Sequence, residues 1–404
     1  MTAVPEDASR SAAVPAGLRV LWVGPMQSEQ EMLRSTAASP AAMRWTRGFL
    51  TGLEANGVRY RHVGNAPGRV WPYGPLWVEA ASRPGDNPLI GVTFLNLPGV
   101  RFRHLAGEFS RAVARAVDAE RPDMIITYNA EPPVAAAARV AVARGVPWFP
   151  IVMDYNDQLL DAAWTPIAEM VRGASGVAFL SAWACEHCPF ARTFLIDGGI
   201  ADRPVADRVD ARAPAVLYTG TKASWGGLDL LLKAWRGVRH AGARLWICGP
   251  GRSAELQAAA AKDPRIQDFG MVSETRLQEL TEQAAVLVNP RPPNHPGNRL
   301  NFPSKILEYL GTGKPIVTTR TASFSPEYAA ALIFPENETG AAFGRAIDVA
   351  LALSPAEREA CRHAVRGFAV RHGDWPELTA RFLRWAAECA RPETGEGHGA
   401  CPAC

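Results

Sequence analysis

The sequence predicts an α/β protein built from two facing, doubly wound Rossmann-like lobes with a cleft between them. Three observations point there. The 404 residues exceed what one hydrophobic core usually organises, so two domains are expected. Short apolar runs that end at glycine or proline alternate with helix-period segments, first in one half and then in the other, which is the grammar of parallel βαβ units. Between the halves, Ala201 to Pro214 (ADRPVADRVDARAP) is charged, carries prolines and has little to bury, as linkers do.

Leu18 to Val23 (LRVLWV) reads as the first buried strand, closed by Gly24-Pro25. Pro40 to Ala55 has helical spacing, Gly57 stops it, and Val58 to Val63 restarts a strand. Gly64 to Pro98 then breaks the alternation. It is rich in glycine and proline, carries Trp71, Tyr73 and Trp77, and is too long for an ordinary connection. Helix Phe102 to Ala119, strand Met124 to Thr127, helix Pro133 to Ala143 and strand Trp148 to Met153 resume the pattern. Val177 to Ser181 and Thr193 to Ile196 complete the lobe.

The second lobe reads as strand Ala215 to Tyr218, helix Gly227 to Val238, strand Ala243 to Cys248 and a helix from Ser253. Strand Arg265 to Phe269, helix Ser273 to Gln283 and strand Ala285 to Asn289 follow. In Pro303 to Thr318 (PSKILEYLGTGKPIVT), Pro303 suits a first helical turn and Asn301 or Ser304 is placed to cap it. Ile306, Leu307 and Leu310 form the apolar face, while Lys305 and Glu308 share another. Gly311 and Gly313 end the helix and Pro315 to Thr319 is the next strand. From Phe343 to Ala390 the chain reads as mainly helical, its last helix spanning Trp375 to Ala390. The expected division is 1–17 disordered lead, 18–205 first lobe, 206–374 second lobe, 375–390 final helix and 391–404 disordered tail.

A net charge of +3 is near neutral for this length and gives no reason to expect a nucleic-acid partner. The lead has acids and prolines but no apolar core of a signal peptide, and no run is long enough to span a membrane. A cytoplasmic location is expected. Seven cysteines include two C-x-x-C pairs, Cys185/Cys188 around His187 and Cys401/Cys404. Their separation argues for reduced thiols rather than a zinc site, and no metal is expected.

The chemistry-bearing residues gather at predicted strand ends, where open α/β sheets bind ligands. Tyr218-Thr-Gly220-Thr221-Lys222 follows the second lobe's first strand. Lys222, Lys305, a helix N-terminus and Arg291 or Arg299 of the loop NPRPPNHPGNRLNF can together neutralise a diphosphate without metal. Glu308 is placed to accept bonds from a ribose, or else forms a solvated ion pair with Lys305. Gly249-Pro-Gly251-Arg-Ser-Ala254, with Asp268 downstream, also matches a dinucleotide fingerprint, although it follows the lobe's second strand.

These blocks together resemble the GT-B glycosyltransferases, closest to the family 4 group. Tyr218-x-Gly220 with Gly227-Leu-Asp-Leu-Leu-Leu-x-Ala234-Trp235 resembles the opening of that family's donor lobe. The most specific block is Pro303-x-Lys305-x-x-Glu308-Tyr309-Leu310-x-x-Gly313-Lys314-Pro315. Ile196-Asp-Gly-Gly-Ile200 resembles the turn closing the first lobe, and Trp375 opens the crossover helix. The resemblance implies a sugar transferase that takes a UDP-, GDP- or dTDP-sugar as donor, with no obligatory cofactor. The acceptor would be a glycan, a lipid-linked molecule or a small molecule. Donor binding would fall to Gly220, Thr221, Lys222, Asn298, Arg299, Asn301, Ser304, Lys305 and Glu308.

The chain also departs from that family. One of its two glutamates, eight positions apart, is here Leu300, with Asn298 or Asn301 as neutral substitutes, and its arginine and lysine pair falls on Thr221 and Gly226. A retaining course is implied, with the leaving diphosphate taking the acceptor's proton. An inverting course would need a base, and Asp154, Asp157 or Glu131 follow the first lobe's strands. Asp154 is the first choice. Trp71, Tyr73 and Trp77 would stack on the acceptor, pack on themselves or, with Arg101 and Arg103, dock at the inner face of a membrane. A nucleotide-sugar epimerase and a non-catalytic nucleotide-sugar binder are the alternative readings.

Overall fold

A computed structural model describes residues 14–25, 40–66, 68–79, 85–153, 163–201, 203, 205–206, 208–240 and 242–391 of the chain. The first lobe runs β1 (Arg19–Val23), α1 (Pro40–Ala55), β2 (Arg59–Gly64), β3 (Trp77–Val78), β4 (Leu89–Gly91), β5 (Phe94–Leu95), α2 (Arg101–Glu120), β6 (Met124–Tyr128) and α3 (Pro132–Val142). It continues with β7 (Trp148–Val152), α4 (Thr165–Met170), β8 (Val177–Phe179), α5 (Ala182–His187) and β9 (Thr193–Leu195). Seven strands form one parallel sheet in the order β4-β2-β1-β6-β7-β8-β9. Strands β1, β6 and β7 are apolar over nearly their whole length because helices cover both faces.

The long insertion is more ordered than its glycine and proline content suggests. Leu89 and Ile90 extend the main sheet beside β2, and β3 pairs antiparallel with β5. Asn96 holds the segment together, its buried side-chain amide donating to the carbonyls of Arg69 and Pro75.

The second lobe runs β10 (Ala215–Thr219), α6 (Leu228–Trp235), β11 (Arg244–Cys248), α7 (Ala254–Lys262), β12 (Ile266–Gly270), α8 (Glu274–Gln283) and β13 (Ala284–Asn289). Then come α9 (Gly297–Leu300), α10 (Lys305–Leu310), β14 (Ile316–Thr318), α11 (Gly340–Leu351), α12 (Pro355–His372) and α13 (Trp375–Ala390). Its sheet is parallel in the order β12-β11-β10-β13-β14, so the direction of strand addition reverses between β10 and β13. Serine caps start α7 and α8, and Ser354 with Glu357 forms a full capping box on α12.

Two details of the PSKILEYL segment differ from the sequence expectation. Ser304 occupies the cap position of α10, but its backbone is already helical and its side chain makes no capping bond; capping needs an extended backbone to aim the oxygen back at the amides. Asn301 instead closes α9, a four-residue turn that the local pattern did not predict.

The final helix α13 leaves the second lobe and packs on α1 of the first. Trp375 meets Trp45 edge to face at 5.1 Å, and Phe382 meets Phe49 at 5.5 Å. Gly48 and Gly52, one turn apart on α1, make this approach possible. A Cβ on Gly48 would overlap the Trp375 indole, and one on Gly52 would overlap the Thr379 hydroxyl. One apolar cluster therefore runs from Trp22 and Phe149 in the first lobe through Ile196 and Ile200 to Leu217 and Ile306 in the second.

Where the chain crosses between lobes, three polar side chains are buried together. Asp197 Oδ2 accepts from Tyr328 OH at 2.7 Å, Asp197 Oδ1 lies 3.3 Å from His372 Nε2, and that nitrogen is 2.8 Å from Gly198 O. Burial alone would raise the Asp197 pKa, but the His372 charge and hydrogen bond, with the Tyr328 hydroxyl, hold it below its usual value. Burial likewise pulls His372 down, and Asp197 with the Gly198 carbonyl outweighs it, leaving the imidazole above its usual value.

Candidate functional site

Tyr309 fixes the charged helix α10 to the end of β10. Its buried hydroxyl lies 2.8 Å from Thr219 Oγ1 and accepts from Thr219 N at 3.1 Å, which sets Lys305 and Glu308 at the carboxyl edge of the second sheet. Lys305 Nζ is 3.8 Å from Glu308 Oε2, and Arg44 of α1 reaches across from the first lobe to place Nη2 2.9 Å from Glu308 Oε1. Desolvation lowers the Lys305 pKa; Glu308 opposes that fall and Arg44 adds to it. A partly desolvated ammonium near a second cation gains from an arriving anion.

Lys222 does not extend into this space. It is buried, and its Nζ lies 2.8 Å from both carboxylate oxygens of Asp268 on β12, so the ion pair takes the charge that the sequence assigned to a diphosphate. The same pair occupies the acid of the dinucleotide fingerprint. Gly220 and Thr221 lie in the loop after β10, where Tyr218 OH donates to Thr221 O at 2.7 Å and lies 3.2 Å from Gly226 O, stapling both ends of residues 221–226. Burial pushes the Tyr218 phenol up to about 12, against the Arg291 charge, so it stays a neutral donor.

The α9 residues serve the seam between lobes. The Asn298 side chain is buried, donating to Pro292 O at 2.7 Å and accepting from Arg291 Nη1 at 3.5 Å. Arg299 lies over the Trp183 ring of α5 at 5.6 Å, and its carbonyl accepts from Ser181 Oγ. Ala182 N donates to Ser323 O at 3.0 Å across the same seam. Leu300 is buried inside the first lobe's apolar cluster, with Val134, Trp164 and Phe179 among its members. Among the described residues, Asn301 Oδ1 is buried without a hydrogen-bond partner.

On the first lobe, Glu131 precedes α3 without capping it and accepts from Asn129 Nδ2 at 3.0 Å. Asp154 and Asp157 lie outside the described residues. Trp71, Tyr73 and Trp77 stand exposed, and with Leu76, Val100 and Phe102 they make up six of the ten large exposed hydrophobic side chains among the described residues. The Arg101 guanidinium lies over Phe94 and Phe102, where burial lowers its pKa. Among the described residues no three His, Cys, Asp or Glu side chains converge to hold a metal ion. Cys185, beside His187, is pushed up to about 12 by burial first and by the neighbouring Cys188 next.

Sequence reasoning missed Arg44 altogether, because its partner lies in the other lobe. Trp225, exposed in the loop after β10, was also missed; the Ser-Trp-Gly-Gly turn was its only local signal.

Residues 213–353, which hold β10 to β14 with Lys305 and Glu308, match the family model of glycosyl transferases group 1. The chain carries a group 1 glycosyl transferase domain. This glycosyltransferase has the GT-B fold, and three solved structures show how far that likeness extends. A glycosyltransferase from Rickettsia africae has a TM-score of 0.67 at 13% identity, covering 93% of this chain and 99% of that one. A UDP-forming α,α-trehalose-phosphate synthase from Burkholderia xenovorans has a TM-score of 0.66 at 12% identity, covering 93% and 100%. The Anabaena protein HepE in complex with UDP has a TM-score of 0.64 at 11% identity, covering 90% and 98%. No curated protein matches the chain. No helix among the described residues of this glycosyltransferase is long and apolar enough to cross a membrane.

Proposed function

We propose that this family 4-like, bacterial-type enzyme moves a sugar from a nucleotide-sugar donor to an acceptor with retention at the anomeric carbon. Residues 206–374 form the donor side and 18–205 the acceptor side. One observation carries the reading: Lys305 and Glu308 sit at the carboxyl edge of the second sheet and face Arg44 of the first lobe. Lys305 meets the diphosphate, and Glu308, steadied by Arg44, accepts from the ribose. The UDP complex of HepE and the UDP-forming synthase favour uridine diphosphate over GDP and dTDP as the carrier.

In the step itself the bond from the anomeric carbon to the diphosphate oxygen breaks and a bond to the acceptor oxygen forms on the same face. The acceptor's proton passes to the leaving diphosphate, whose growing charge Lys305 offsets. The exposed aromatic face around Trp71, Tyr73 and Trp77, with Arg101 and Arg103, favours a lipid-linked acceptor reached from the cytoplasmic side of a membrane.

Thermal stabilisation by UDP, GDP, dTDP, ADP and NAD, in wild type and in Lys305→Ala and Glu308→Ala, tests the donor site. UDP is expected to stabilise the wild type and to lose that effect in both variants. Wild-type indifference to every nucleotide, or variants that respond as wild type does, would overturn it. A second reading, a nucleotide-sugar binder without turnover, is favoured by Leu300 and Lys222, both committed to packing and pairing. Binding with no product from any acceptor would select it.

A further inference from the structure

The reversal of strand order between β10 and β13 makes their carboxyl ends the switch point of the sheet, the place where open α/β sheets receive ligands. The loops on its two sides touch. Gly227 has φ +83, and a Cβ there would overlap Pro290 O and approach Arg291 N at 3.0 Å, so only glycine lets the loop after β10 lie against the loop after β13. Trp225 from one loop and Arg291 from the other meet there, with the guanidinium carbon 5.5 Å from the indole centroid.

Both residues are held in place. Tyr218 staples the loop on either side of Trp225, and Arg291 Nη1 donates to Asn301 O at 3.2 Å and to Asn298 Oδ1 at 3.5 Å. Thr319 Oγ1 donates to the Arg291 carbonyl. Trp225 nevertheless stays 45% exposed and, among the described residues, belongs to no apolar cluster of the lobe. A large aromatic ring, braced by a cation and left in water at the ligand edge of a sheet, is poorly explained by stability alone.

We propose that Trp225, braced by Arg291, is the platform on which the glycosyl group of the donor rests. This inference rests on the nucleotide-sugar reading above. The C–H face of a pyranose is apolar and matches an indole face, while its hydroxyls point outward to the rim. Arg291 is a positioning residue: it fixes the ring and brings positive charge to the side of the switch point where the diphosphate leaves. Leu300 is buried in the first lobe's apolar cluster and offers the sugar no carboxylate, so a ring face would supply contact area that the chain lacks there. Recognition by a ring face tolerates changes in hydroxyl configuration that a hydrogen-bonding carboxylate would reject.

The test compares UDP, GDP and dTDP with their glucose conjugates by calorimetry on wild type, Trp225→Ala, Trp225→Phe and Arg291→Lys, each checked for an unchanged melting temperature. Trp225→Ala is expected to weaken the sugar conjugate about tenfold while leaving the bare nucleotide unchanged. Trp225→Phe should recover most of the loss, and Arg291→Lys should fall between. Equal weakening of nucleotide and conjugate, or no weakening of either, would overturn the platform while leaving the donor site standing. A wild type that binds none of the six removes the donor reading and the platform with it.

Discussion

Arg44 on α1 and Glu308 on α10 meet at 2.9 Å, joining the two lobes at the mouth of the cleft. Both side chains remain largely in water, so the pair adds little to folding, under about 1 kcal/mol. Its effect is directional instead. With Arg44 present, Glu308 is drawn away from Lys305, whose nearest carboxylate oxygen is 3.8 Å distant. Arg44→Ala is expected to leave the melting temperature within a degree or two of wild type. Nucleotide affinity should fall several-fold, because Glu308 then collapses onto Lys305 and neutralises it. A salt titration of nucleotide binding checks this, since the variant should lose part of the wild-type ionic-strength dependence.

The Lys222–Asp268 pair predicts a different kind of loss. Asp268→Asn leaves a buried ammonium without its counter-charge, expected to cost roughly 3 kcal/mol, the low end for such a break because Asp268 keeps 32% of its side-chain surface in water. Lys222→Met with Asp268→Asn should restore most of the stability. Denaturant unfolding of the single and double variants measures it, and additive losses would show that the two groups do not act as a pair.

How much of this was legible in the sequence depends on range. Lys305 and Glu308 are three apart on one helix, so their shared face follows from the 3.6 period, and the buried strands follow from apolar runs ended by glycine and proline. Nothing local says that Glu308 also meets Arg44, or that Asp268 meets Lys222, because those pairs form only once two strands or two lobes are side by side. Leu300 shows the same limit. As a letter it marks a missing carboxylate; in the structure it is a buried side chain of the opposite lobe's core, and the other members of that cluster lie more than a hundred residues earlier in the chain. The Ser304 expectation failed for a local reason, since its backbone enters the helix one residue too early to cap it.

Leu300→Ala should therefore act as a core truncation rather than as a change to the donor site. A loss of about 2–5 kcal/mol is expected, accompanied by faster proteolysis at the seam between α5 and α9. Leu300→Glu, which restores a carboxylate by sequence, should destabilise further because the charge would be buried in the first lobe's apolar cluster. Unfolding free energies of the two variants decide this. A stable, more active Leu300→Glu would contradict the packing described.

The Asp197–His372 pair makes stability depend on pH in a definite sense. His372 is raised above 6.5 in the folded protein, so its contribution is complete below 6.5 and is lost as pH climbs through the raised value. Asp197 is lowered below 3.8, so its contribution is complete above 3.8 and is lost as pH falls through the lowered value. Arg381, which donates to His372 O at 2.6 Å, and Tyr328 stay in place across that window. Wild-type melting temperature should decline above neutral pH more steeply than that of His372→Gln. Parallel profiles from pH 6 to 9 would rule the pair out as the cause.

At Gly52 an added methyl meets the Thr379 hydroxyl and the Trp375 carbonyl with no flexible end to yield. Gly52→Ala is expected to destabilise by about 1–3 kcal/mol and to expose α13 to amide exchange before the rest of the first lobe. Hydrogen exchange read by mass spectrometry checks the order of opening.

That glycine seam also bears on how the protein is made. The first sheet is complete when β9 leaves the ribosome, yet the helix that covers Trp45, Phe49 and Phe149 is translated only after the whole second sheet. Throughout translation of the second lobe, the nascent first lobe carries an unroofed aromatic face. Domain-by-domain maturation is closed to this architecture: the first lobe waits for a helix that follows the second, and a chain cut short before Trp375 would carry its defect in the lobe made first.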